Sequence, residues 1–413
     1  MKIALAHYSA SSDISGVTTW LIGFCVPLLR AGHEVVMHLH HFGDDAQQGS
    51  ILPILRRLGI ATHAVCHTGS LEADTRQTLK FLIEVQPDLF LPQCLQAHYC
   101  AAAHAGRQGL PWIFTMHSDD PDYWCVAESL TPEVYGGSSV CVSQFLAQEL
   151  HHKVPATTPQ VIPYGIPMPS THATFSDQPF RVVYCGRLVE QQKCIHQVVR
   201  TLISTCRSSS QIEADVIGDG PEREACQQLV REAGLADRIN FLGRVPPEQV
   251  PPLLARSQAI LLMSDFEGLP VALLEAMACG VVPVVRSIPS GIPELVHHEK
   301  TGLLVANDAD AGAASLLRLA TNPALWHHCS DNARSLVRDS YSADHCYQSW
   351  LSLISEYKAR KRDSFPLSTS GLEGTLPLHD SRFQTQYPSS PPSLSKFHPR
   401  RVLGRLRRMV FRS

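Results

Sequence analysis

Short apolar runs alternate with longer amphipathic segments along most of this chain, and this alternation restricts the fold more than any other feature. The short runs have the length of buried strands, and the longer segments have helical spacing. Strands that alternate with helices pair in parallel, with right-handed crossovers. The expected strands include 2–8, 34–41, 61–66, 88–93, 112–117 and 139–142, and then 180–185, 214–218, 239–242 and 259–263. The sequence therefore predicts an α/β fold built on doubly wound parallel sheets.

A proline-rich stretch, VIPYGIPMPSTHATFSDQP at 161–179, interrupts this alternation. A chain of 413 residues also favours two domains. The expected organisation is an N-terminal Rossmann-like domain over 1–164, a linker over 165–179, a C-terminal Rossmann-like domain over 180–341, a helix over 342–361 that packs back toward the N-terminal domain, and a disordered Ser/Pro-rich and basic tail over 362–413. Two such domains leave a cleft between them. Ligands of parallel sheets bind beyond the carboxyl ends of the strands, so the loops that follow strands are where chemistry is expected.

Charge and cysteine usage narrow the class of protein. Residues 358–413 contain 12 Lys and Arg against 3 Asp and Glu, while the whole chain has a formal net charge of −3. The body of the protein is thus acidic, which argues against nucleic acid as a partner. The 13 cysteines form no C-x-x-C pair, a pattern typical of reduced thiols in the cytoplasm. Neither a signal peptide nor a membrane-spanning segment is expected.

Two glutamates stand in the apolar stretch SDFEGLPVALLEAMACG, residues 264–280. Glu267 falls in a strand-to-helix loop, and Glu275 falls about a turn and a half into the helix that Pro270 begins. A lone carboxylate on a buried helix is costly unless something hydrogen-bonds it. Either a cation or amide within the fold satisfies Glu275, or the hydroxyl groups of a ligand do.

Three further loops follow predicted strands. Arg187 and Lys193, in YCGRLVEQQKC, could hold phosphate oxygens, although two basic residues in a loop are more often simply solvated. The stretch VIGDGPERE at 216–224 lacks the third glycine of a dinucleotide fingerprint, so a dehydrogenase is disfavoured and a tight turn is the simpler interpretation. The stretch SIPSGIPELV at 287–296 could present backbone amides to phosphate or could be a plain turn.

The 21 histidines give little support for a metal site. Strand alternation places His38 and His40 on one face, but no further Cys or His ligand at a recognised spacing completes a set. We therefore expect no metal. The chain also lacks a G-x-S-x-G motif, which argues against an α/β-hydrolase.

Taken together, the motifs resemble those of retaining glycosyltransferases of the glycosyl group 1 type, family 4, which have the GT-B fold. The stretch EGLPVALLEAMACG is similar to the E-x7-E signature of that family. Other stretches match motifs of the family in the same order: GHEV at 32–35, VIPYGIP at 161–167, GRLVEQQK at 186–193, IGDGPE at 217–222, INFLGRV at 239–245 and SGIPELV…TGLLV at 290–305. One difference is Tyr164, which stands where the family usually has asparagine. The resemblance covers about residues 1–360 and is stronger in the second domain.

The resemblance implies a role for each matching residue. Arg187 and Lys193 would hold the donor diphosphate, and Glu275 would bind the ribose hydroxyls. Glu267 would contact the transferred sugar, with His117 nearby on the acceptor side. The remaining donor contacts would come from three backbone positions: Gly16, Gly291 and Ile292.

The implied activity is transfer of a sugar from a nucleotide-sugar donor, with retention of configuration and without a metal or other cofactor. The acceptor would be a sugar, a glycan or a lipid-linked molecule. A nucleotide-sugar epimerase or other enzyme of the same fold, and a non-catalytic binding protein, are the alternatives. The oligomeric state is left open.

The tail 396–413, KFHPRRVLGRLRRMVFRS, contains seven Lys and Arg and no acidic residue. Written as a helix, it gathers apolar residues near one face, a pattern typical of peptides that lie on anionic membranes. A basic segment that binds another partner, or a solvated tail, is the alternative. We therefore expect a cytoplasmic protein with possible peripheral contact at the inner membrane face.

Overall fold

The computed structural model describes residues 1–10, 15–43, 45–48, 50–130, 138–358, 366–374, 376–377, 381–384 and 386. The predicted α/β class is confirmed, because the strands form parallel sheets flanked by helices. Several helices begin at a residue whose side chain accepts a hydrogen bond from the first turn, as good capping residues do: Ser15, Ser70, Asp120, Ser143, Asp308 and Asn322.

The N-terminal half builds its sheet around a buried first strand. Its elements are β1 Lys2–Ala10, α1 Gly16–Arg30, β2 Glu34–Phe42, α2 Leu52–Arg57, β3 Ala61–Cys66, α3 Leu71–Val85, β4 Leu89–Pro92, α4 Gln96–Arg107, β5 Phe114–Met116, α5 Pro121–Ser129, β6 Ser139–Cys141, α6 Gln144–Lys153 and β7 Gln160–Val161. The strand order is β3-β2-β1-β4, and a parallel bridge between Phe90 and Trp112 leads on to β5-β6-β7. The order reverses direction between β1 and β4, so the loops after these strands border a crevice.

The C-terminal half contains one six-stranded sheet. Its elements are β8 Phe180–Cys185, α7 Glu190–Lys193, α8 Ile195–Ser208, β9 Ile212–Ile217, α9 Arg223–Glu232, β10 Ile239–Gly243, α10 Val250–Leu254, β11 Ala259–Leu262, α11 Val271–Ala278, β12 Val282–Arg286, α12 Ile292–Leu295, β13 Leu303–Val305, α13 Ala309–Ala320 and α14 Pro323–Ser340. The strand order is β10-β9-β8-β11-β12-β13, and it reverses direction between β8 and β11. The loops that carry Arg187 and Glu267 therefore meet at this switch point.

The last long helix, α15 Ala343–Lys358, returns to the N-terminal half. Its Trp350 ring lies 5.8 Å from the Trp20 ring and 5.2 Å from the Phe24 ring, both on α1. Near its end, the hydroxyl of Tyr357 accepts a hydrogen bond from the amide of Ser138. The two halves are thus joined both by the chain at 165–179 and by this helix.

Part of the predicted disordered tail is placed on the N-terminal half. The amide of Ser368 donates to Oε1 of Gln108 at 2.6 Å, and four apolar side chains of this segment are buried: Leu367, Leu372, Leu376 and Phe383. For the described residues between 366 and 386, the prediction of disorder is therefore wrong. The composition is rich in Ser and Pro, but apolar residues at intervals are enough to anchor an irregular chain. The basic stretch 396–413 lies outside the described residues, and its membrane contact stays a prediction.

Candidate active site

A cavity of about 930 Å³ lies between the two halves, at the switch points of both sheets. Its lining includes most of the residues that the sequence singles out: Gly16, His117, Arg187, Lys193, Glu267 and Glu275. In the part of the chain that the structure describes, no helix is long and apolar enough to cross a bilayer.

The loops after β8 and β11 are tied together by Gln192. Its Oε1 accepts from Nη2 of Arg187 at 2.7 Å, and its Nε2 donates to the carbonyl of Phe266 at 3.3 Å. The amide of Asp265 donates back to the carbonyl of Gln192 at 2.9 Å. This side chain therefore fixes the arginine of one loop relative to the glutamate-bearing loop. Sequence reasoning missed it, because a glutamine in a polar loop gives no signal of its own.

The glycines of the GDG motif pack against the backbone of the Arg187 loop, and Gly218 also lines the cavity. Gly218 has a φ of +128°, and a side chain there would meet the carbonyl oxygen of Gly186 at 1.9 Å. The backbone of β9 can thus approach the Arg187 loop only because the residue is glycine. The motif therefore serves close packing, in agreement with the tight-turn interpretation.

Lys193 and Glu267 form an ion pair, with Nζ 2.5 Å from Oε1. The lysine side chain is 17% exposed and the glutamate side chain 6%. An ionised carboxylate that is so nearly buried needs a compensating cation, because its hydration is lost. The structure thus brings together two of the predicted site residues and gives Glu267 an internal partner.

Glu275 has no such partner among the described residues. It lies on α11, reaches the cavity, and accepts no hydrogen bond and forms no ion pair through its carboxylate there. Burial raises the pKa of Glu275 to about 7. The sequence left open whether a group within the fold or a ligand satisfies this carboxylate. The described residues supply no cation for it, which favours the ligand.

Gly16 begins α1 and brings the N-terminal half close to α11. A side chain at Gly16 would lie 3.0 Å from Cβ of Val271, the first residue of α11. Gly16 lines the cavity, as does Val271. Part of the preceding loop, residues 11–14, lies outside the described residues.

Gly291 and Ile292 do not reach the cavity lining. The amide of Gly291 donates to the carbonyl of Gly268 at 2.9 Å, and that of Ile292 donates to Oγ of Ser290 at 3.1 Å. Both backbone donors are therefore already used within the protein. In this arrangement the loop after β12 supports the Glu267 loop, and the donor-site contacts expected of Gly291 and Ile292 stay a prediction.

His117 is held by two hydrogen bonds on the opposite wall. Its Nε2 donates to Oε1 of Gln93 at 2.5 Å, and its Nδ1 accepts from the hydroxyl of Tyr164 at 2.8 Å. Burial lowers the pKa of His117 to about 3, so the ring is neutral near pH 7. Both ring nitrogens are occupied, so His117 is a fixed, uncharged part of the wall. The tyrosine at 164, where the family usually has asparagine, thus positions this histidine.

Contacts between the halves hold this wall against the donor loops. A side chain at Gly268 would meet the carbonyl oxygen of His117 at 2.1 Å, so the two backbones touch. Across the same interface, the carboxylate of Glu294 accepts hydrogen bonds at 3.0 Å from the amides of Gln144 and Phe145, at the start of α6. A carboxylate at a helix N-terminus is favourable for hydrogen bonding and for the helix dipole. Glu294 was not predicted, because nothing in its local sequence indicates a partner 150 residues away.

The C-terminal segment contributes a third side of the cavity through Gln386. Its Nε2 donates to Oδ2 of Asp122 at 2.9 Å, and its Oε1 accepts from the amide of Gln96 at 3.0 Å. Gln386 therefore closes the cavity beside α4 and α5, on the side of His117. No sequence pattern indicated this role.

Two family models match the chain. Residues 14–168 match the model described as Glycosyltransferase Family 4, and residues 172–336 match the model described as Glycosyl transferases group 1. The division between the two matches falls in the predicted linker.

Curated relatives match over shorter stretches. The chain is 36% identical over 130 residues to N-acetyl-alpha-D-glucosaminyl L-malate synthase of Bacillus anthracis, which covers 31% of this chain and 33% of that protein. It is 37% identical over 158 residues to the amylovoran biosynthesis glycosyltransferase AmsK of Erwinia amylovora, which covers 36% of this chain and 37% of that protein. The matches thus span about a third of the length of these relatives.

The solved structure of Anabaena Alr3699/HepE in complex with UDP-glucose superposes with a TM-score of 0.72 at 20% identity, covering 86% of this chain and 100% of that chain. The lipopolysaccharide outer core galactosyltransferase WaaB superposes with a TM-score of 0.65 at 20% identity, covering 86% and 99%. At this identity the likeness establishes the fold alone. With both family models matched in order, the chain belongs to the group 1 glycosyltransferases of family 4, and its two facing parallel-sheet domains have the GT-B fold.

Proposed function

We propose that the protein transfers a sugar from a nucleotide-sugar donor to a glycan, lipid-linked or small-molecule acceptor, with retention of configuration and without a metal in the reaction. One observation carries this proposal. At the switch point of the C-terminal sheet, the carboxylate of Glu275, which has no partner among the described residues, shares a cavity with two basic residues, Arg187 and Lys193. Hydroxyl donors and a diphosphate are the groups that such a combination binds.

The nucleotide half of the donor fits the C-terminal wall. The ribose hydroxyls would donate to Glu275 and thereby favour its ionised form. The diphosphate would lie between Arg187 and the start of α11, where Val271 and Ala272 line the cavity. A helix N-terminus favours negative charge, so it would add to the effect of the two cations.

The reaction follows from where charge develops. As the bond between the anomeric carbon and the diphosphate oxygen breaks, negative charge collects on the diphosphate, and cations fixed in place stabilise it. The acceptor oxygen would bond to the anomeric carbon on the same face, and its proton would pass to the departing diphosphate oxygen. His117 would not take this proton, because both ring nitrogens are already hydrogen-bonded. Its role would be to shape the sugar site.

Glu267 would orient the transferred sugar while Lys193 compensates its charge. Lys193 already pairs with Glu267, and in this proposal it also contacts the diphosphate. Donor binding would therefore lengthen the ion pair, or the lysine would contact both groups at once. The closed contact between Gly268 and His117 would keep water from the reacting carbon.

The relatives give the choice of donors to test first. HepE was solved with UDP-glucose, and the matched enzyme of Campylobacter jejuni acts on a sugar linked to undecaprenol diphosphate. We propose a nucleotide-sugar donor of this kind for the present protein, with an acceptor that includes lipid-linked glycans. Peripheral membrane contact through 396–413 would accompany such an acceptor. Deletion of 396–413 should then release the protein from anionic vesicles, and unchanged co-sedimentation would remove this part of the proposal.

Calorimetry with UDP-, GDP- and ADP-sugars tests the donor site, after a thermal-shift panel has identified which donor binds. Arg187→Ala and Glu275→Ala should each weaken nucleotide binding at least tenfold, by about 1.4 kcal/mol or more. Arg207→Ala and Glu224→Ala change the same residue types on exposed helix surfaces and should bind as the wild type does. Wild-type affinity in both site variants would refute the assignment.

The same donor then allows transfer to be distinguished from the alternatives. Transfer predicts a product whose new bond has the anomeric configuration of the donor, seen by NMR, and a rate that added Mg²⁺ or Mn²⁺ does not change. A nucleotide-sugar epimerase would instead convert the donor without an acceptor. Binding without turnover, with every acceptor class, would favour a non-catalytic protein.

A further inference from the structure

Three buried histidines gather beneath α3 and α4, away from the cavity. His38 and His40 lie on one face of β2, and His98 comes from the first turn of α4. All three side chains are fully buried. One ligand nitrogen from each lies within 4.8 Å of the others. The sequence indicated the pair on β2, and the fold adds the third member, 58 residues from His40.

Each ring of this histidine cluster has one nitrogen engaged on its outer side. His98 Nδ1 donates to the backbone carbonyl of Gln93 at 2.9 Å. His40 Nε2 lies 3.0 Å from Oε1 of Gln77, and His38 Nδ1 lies 2.9 Å from Nδ1 of His63. Histidines that bind metals commonly have this arrangement, because the outer hydrogen bond fixes which nitrogen is free to coordinate.

The inner nitrogens are left facing one another. The carbonyl of Gln93 requires a proton on Nδ1 of His98, and Oε1 of Gln77 requires one on Nε2 of His40. In neutral rings, His40 Nδ1 and His98 Nε2 then present two lone pairs at a separation of 2.9 Å. His38 also contributes a buried nitrogen, Nε2, that has no hydrogen-bond partner among the described residues. With the Gln77 amide in this orientation, the two facing lone pairs repel each other unless a positive group lies between them, and the buried nitrogen of His38 also lacks a partner.

An extra proton could satisfy the facing pair, but it would create an imidazolium in a fully buried site, which is costly. A metal cation would accept all three lone pairs at once. Imidazole nitrogens suit borderline dications such as Zn²⁺, and a tetrahedral centre with Zn–N bonds of 2.0–2.1 Å holds its nitrogens about 3.4 Å apart. Reaching that spacing requires the nitrogens of His40 and His98 to separate by about 0.5 Å, and the widest pair to approach by up to about 1.4 Å. The Asp74 carboxylate, whose Oδ1 lies 3.8 Å from His40 Nε2, would partly offset the added charge.

We propose that His38, His40 and His98 form a three-histidine site for a borderline dication of the Zn²⁺ type. The expectation of no metal rested on the missing third ligand, which the fold supplies. The site is separate from the proposed sugar-transfer reaction, in which the cation takes no part. It would also fix Gln93, whose backbone accepts from His98 and whose side chain accepts from His117. The neutral alternative is a rotated Gln77 amide, which donates to His40 Nε2 and lets His40 donate to His98 without any metal.

Cobalt titration of the untagged, chelator-treated, full-length protein distinguishes the two, because Co²⁺ in a three-histidine site absorbs in the visible and Zn²⁺ displaces it. We expect one Co²⁺ per chain in the wild type and loss of that uptake in His38→Gln and His98→Gln. The matched control is His41→Gln: this neighbour on β2 is equally buried, but it points to the opposite face. It should keep the uptake. Zn²⁺ should also raise the melting temperature of the wild type and of His41→Gln, and not that of the two cluster variants.

A wild-type measurement covers the case in which the cluster variants fail to fold. X-ray absorption of the Zn²⁺-loaded wild type should show three imidazole nitrogens at about 2.0–2.1 Å. Three results would overturn the proposal: no stoichiometric uptake by the wild type, uptake that persists in both folded cluster variants, or fewer than three imidazoles bound to the metal. Any of them would favour the neutral hydrogen-bonded network.

Discussion

The two walls of the cleft treat their polar groups in opposite ways. On the C-terminal wall, Glu275 has no partner within the described fold, and Lys193 and Glu267 compensate each other. On the N-terminal wall, both nitrogens of His117 are engaged by Gln93 and Tyr164. One wall is thus electrostatically incomplete without a ligand, whereas the other is complete by itself. The comparison teaches that the C-terminal wall should respond to the nucleotide and the N-terminal wall to the geometry of the sugar and acceptor.

The largest expected effect is that of Lys193→Ala. This change leaves the Glu267 carboxylate buried without its cation and removes a positive charge from the diphosphate site. We expect the transfer rate to fall about 100- to 1,000-fold, and the free energy of unfolding to fall by about 3 kcal/mol. Initial rates with the identified donor and urea denaturation measure the two effects. Arg318→Ala, which breaks an exposed pair with Glu299, is the control and should change little. A Lys193→Ala enzyme with the wild-type rate would contradict the claim that the charges of the C-terminal wall bind and stabilise the diphosphate.

Glu275→Gln should change the pH dependence of stability. The folded protein holds a proton on Glu275 up to a pKa of about 7, while an unfolded chain releases it near 4.5. Wild-type stability should therefore decrease as pH rises from about 4.5 to 7, and the glutamine variant should lack this decrease. At pH 8 the variant should be more stable than the wild type by at most about 3 kcal/mol, with little difference at pH 4.

Chemical denaturation at several pH values measures this difference. Saturating nucleotide should reduce it, because ribose hydroxyls would satisfy the ionised wild-type carboxylate. A constant difference across the pH range would mean that some cation outside the described residues already neutralises Glu275.

Tyr164→Phe tests the N-terminal wall, whose polar groups are already paired within the protein. It removes the hydroxyl that donates to Nδ1 of His117 and leaves the ring stacking in place. The loss of one buried hydrogen bond is worth about 1 kcal/mol, so we expect about a fivefold fall in turnover through a less fixed His117. Nucleotide affinity should stay within twofold of the wild type. A variant in which nucleotide affinity falls as much as turnover would show that the two walls do not act separately.

The smallest effect is expected from Gln386→Ala, at the third side of the cavity. The change removes the hydrogen bonds to Asp122 and Gln96 without touching the donor loops. We expect a two- to threefold rise in acceptor KM with donor KM unchanged, as suits a partly exposed polar contact. Steady-state kinetics with each substrate varied in turn would measure it. A larger change in donor KM than in acceptor KM would contradict the prediction that Gln386 affects acceptor binding rather than donor binding.

The fold and the C-terminal wall were largely predictable from the sequence. Alternation fixes parallel strands, and the reversal of strand order brings the loops of Arg187 and Glu267 together. The N-terminal wall was not, because its contacts join distant residues: Tyr164 reaches His117 across 47 positions and Gln386 reaches Asp122 across 264. Gly291 and Ile292 were predicted donor contacts, but hydrogen bonds within the fold occupy their amides. Local sequence patterns show which residues lie at the ends of strands, but they do not show which acceptor a backbone amide will hydrogen-bond.

The return of the chain to its first domain has a consequence for biosynthesis. The α1 surface around Trp20 and Phe24 is covered by Trp350, and further apolar residues of the 366–386 segment complete the same domain. A growing chain therefore exposes this aromatic surface until α15 and the 366–386 segment have left the ribosome. Domains usually fold in order as they emerge, but here the N-terminal domain is completed only after the C-terminal domain has been made. Expression of residues 1–179 alone should consequently yield a protein that aggregates, whereas supplying the later segments on a second chain should keep it in solution.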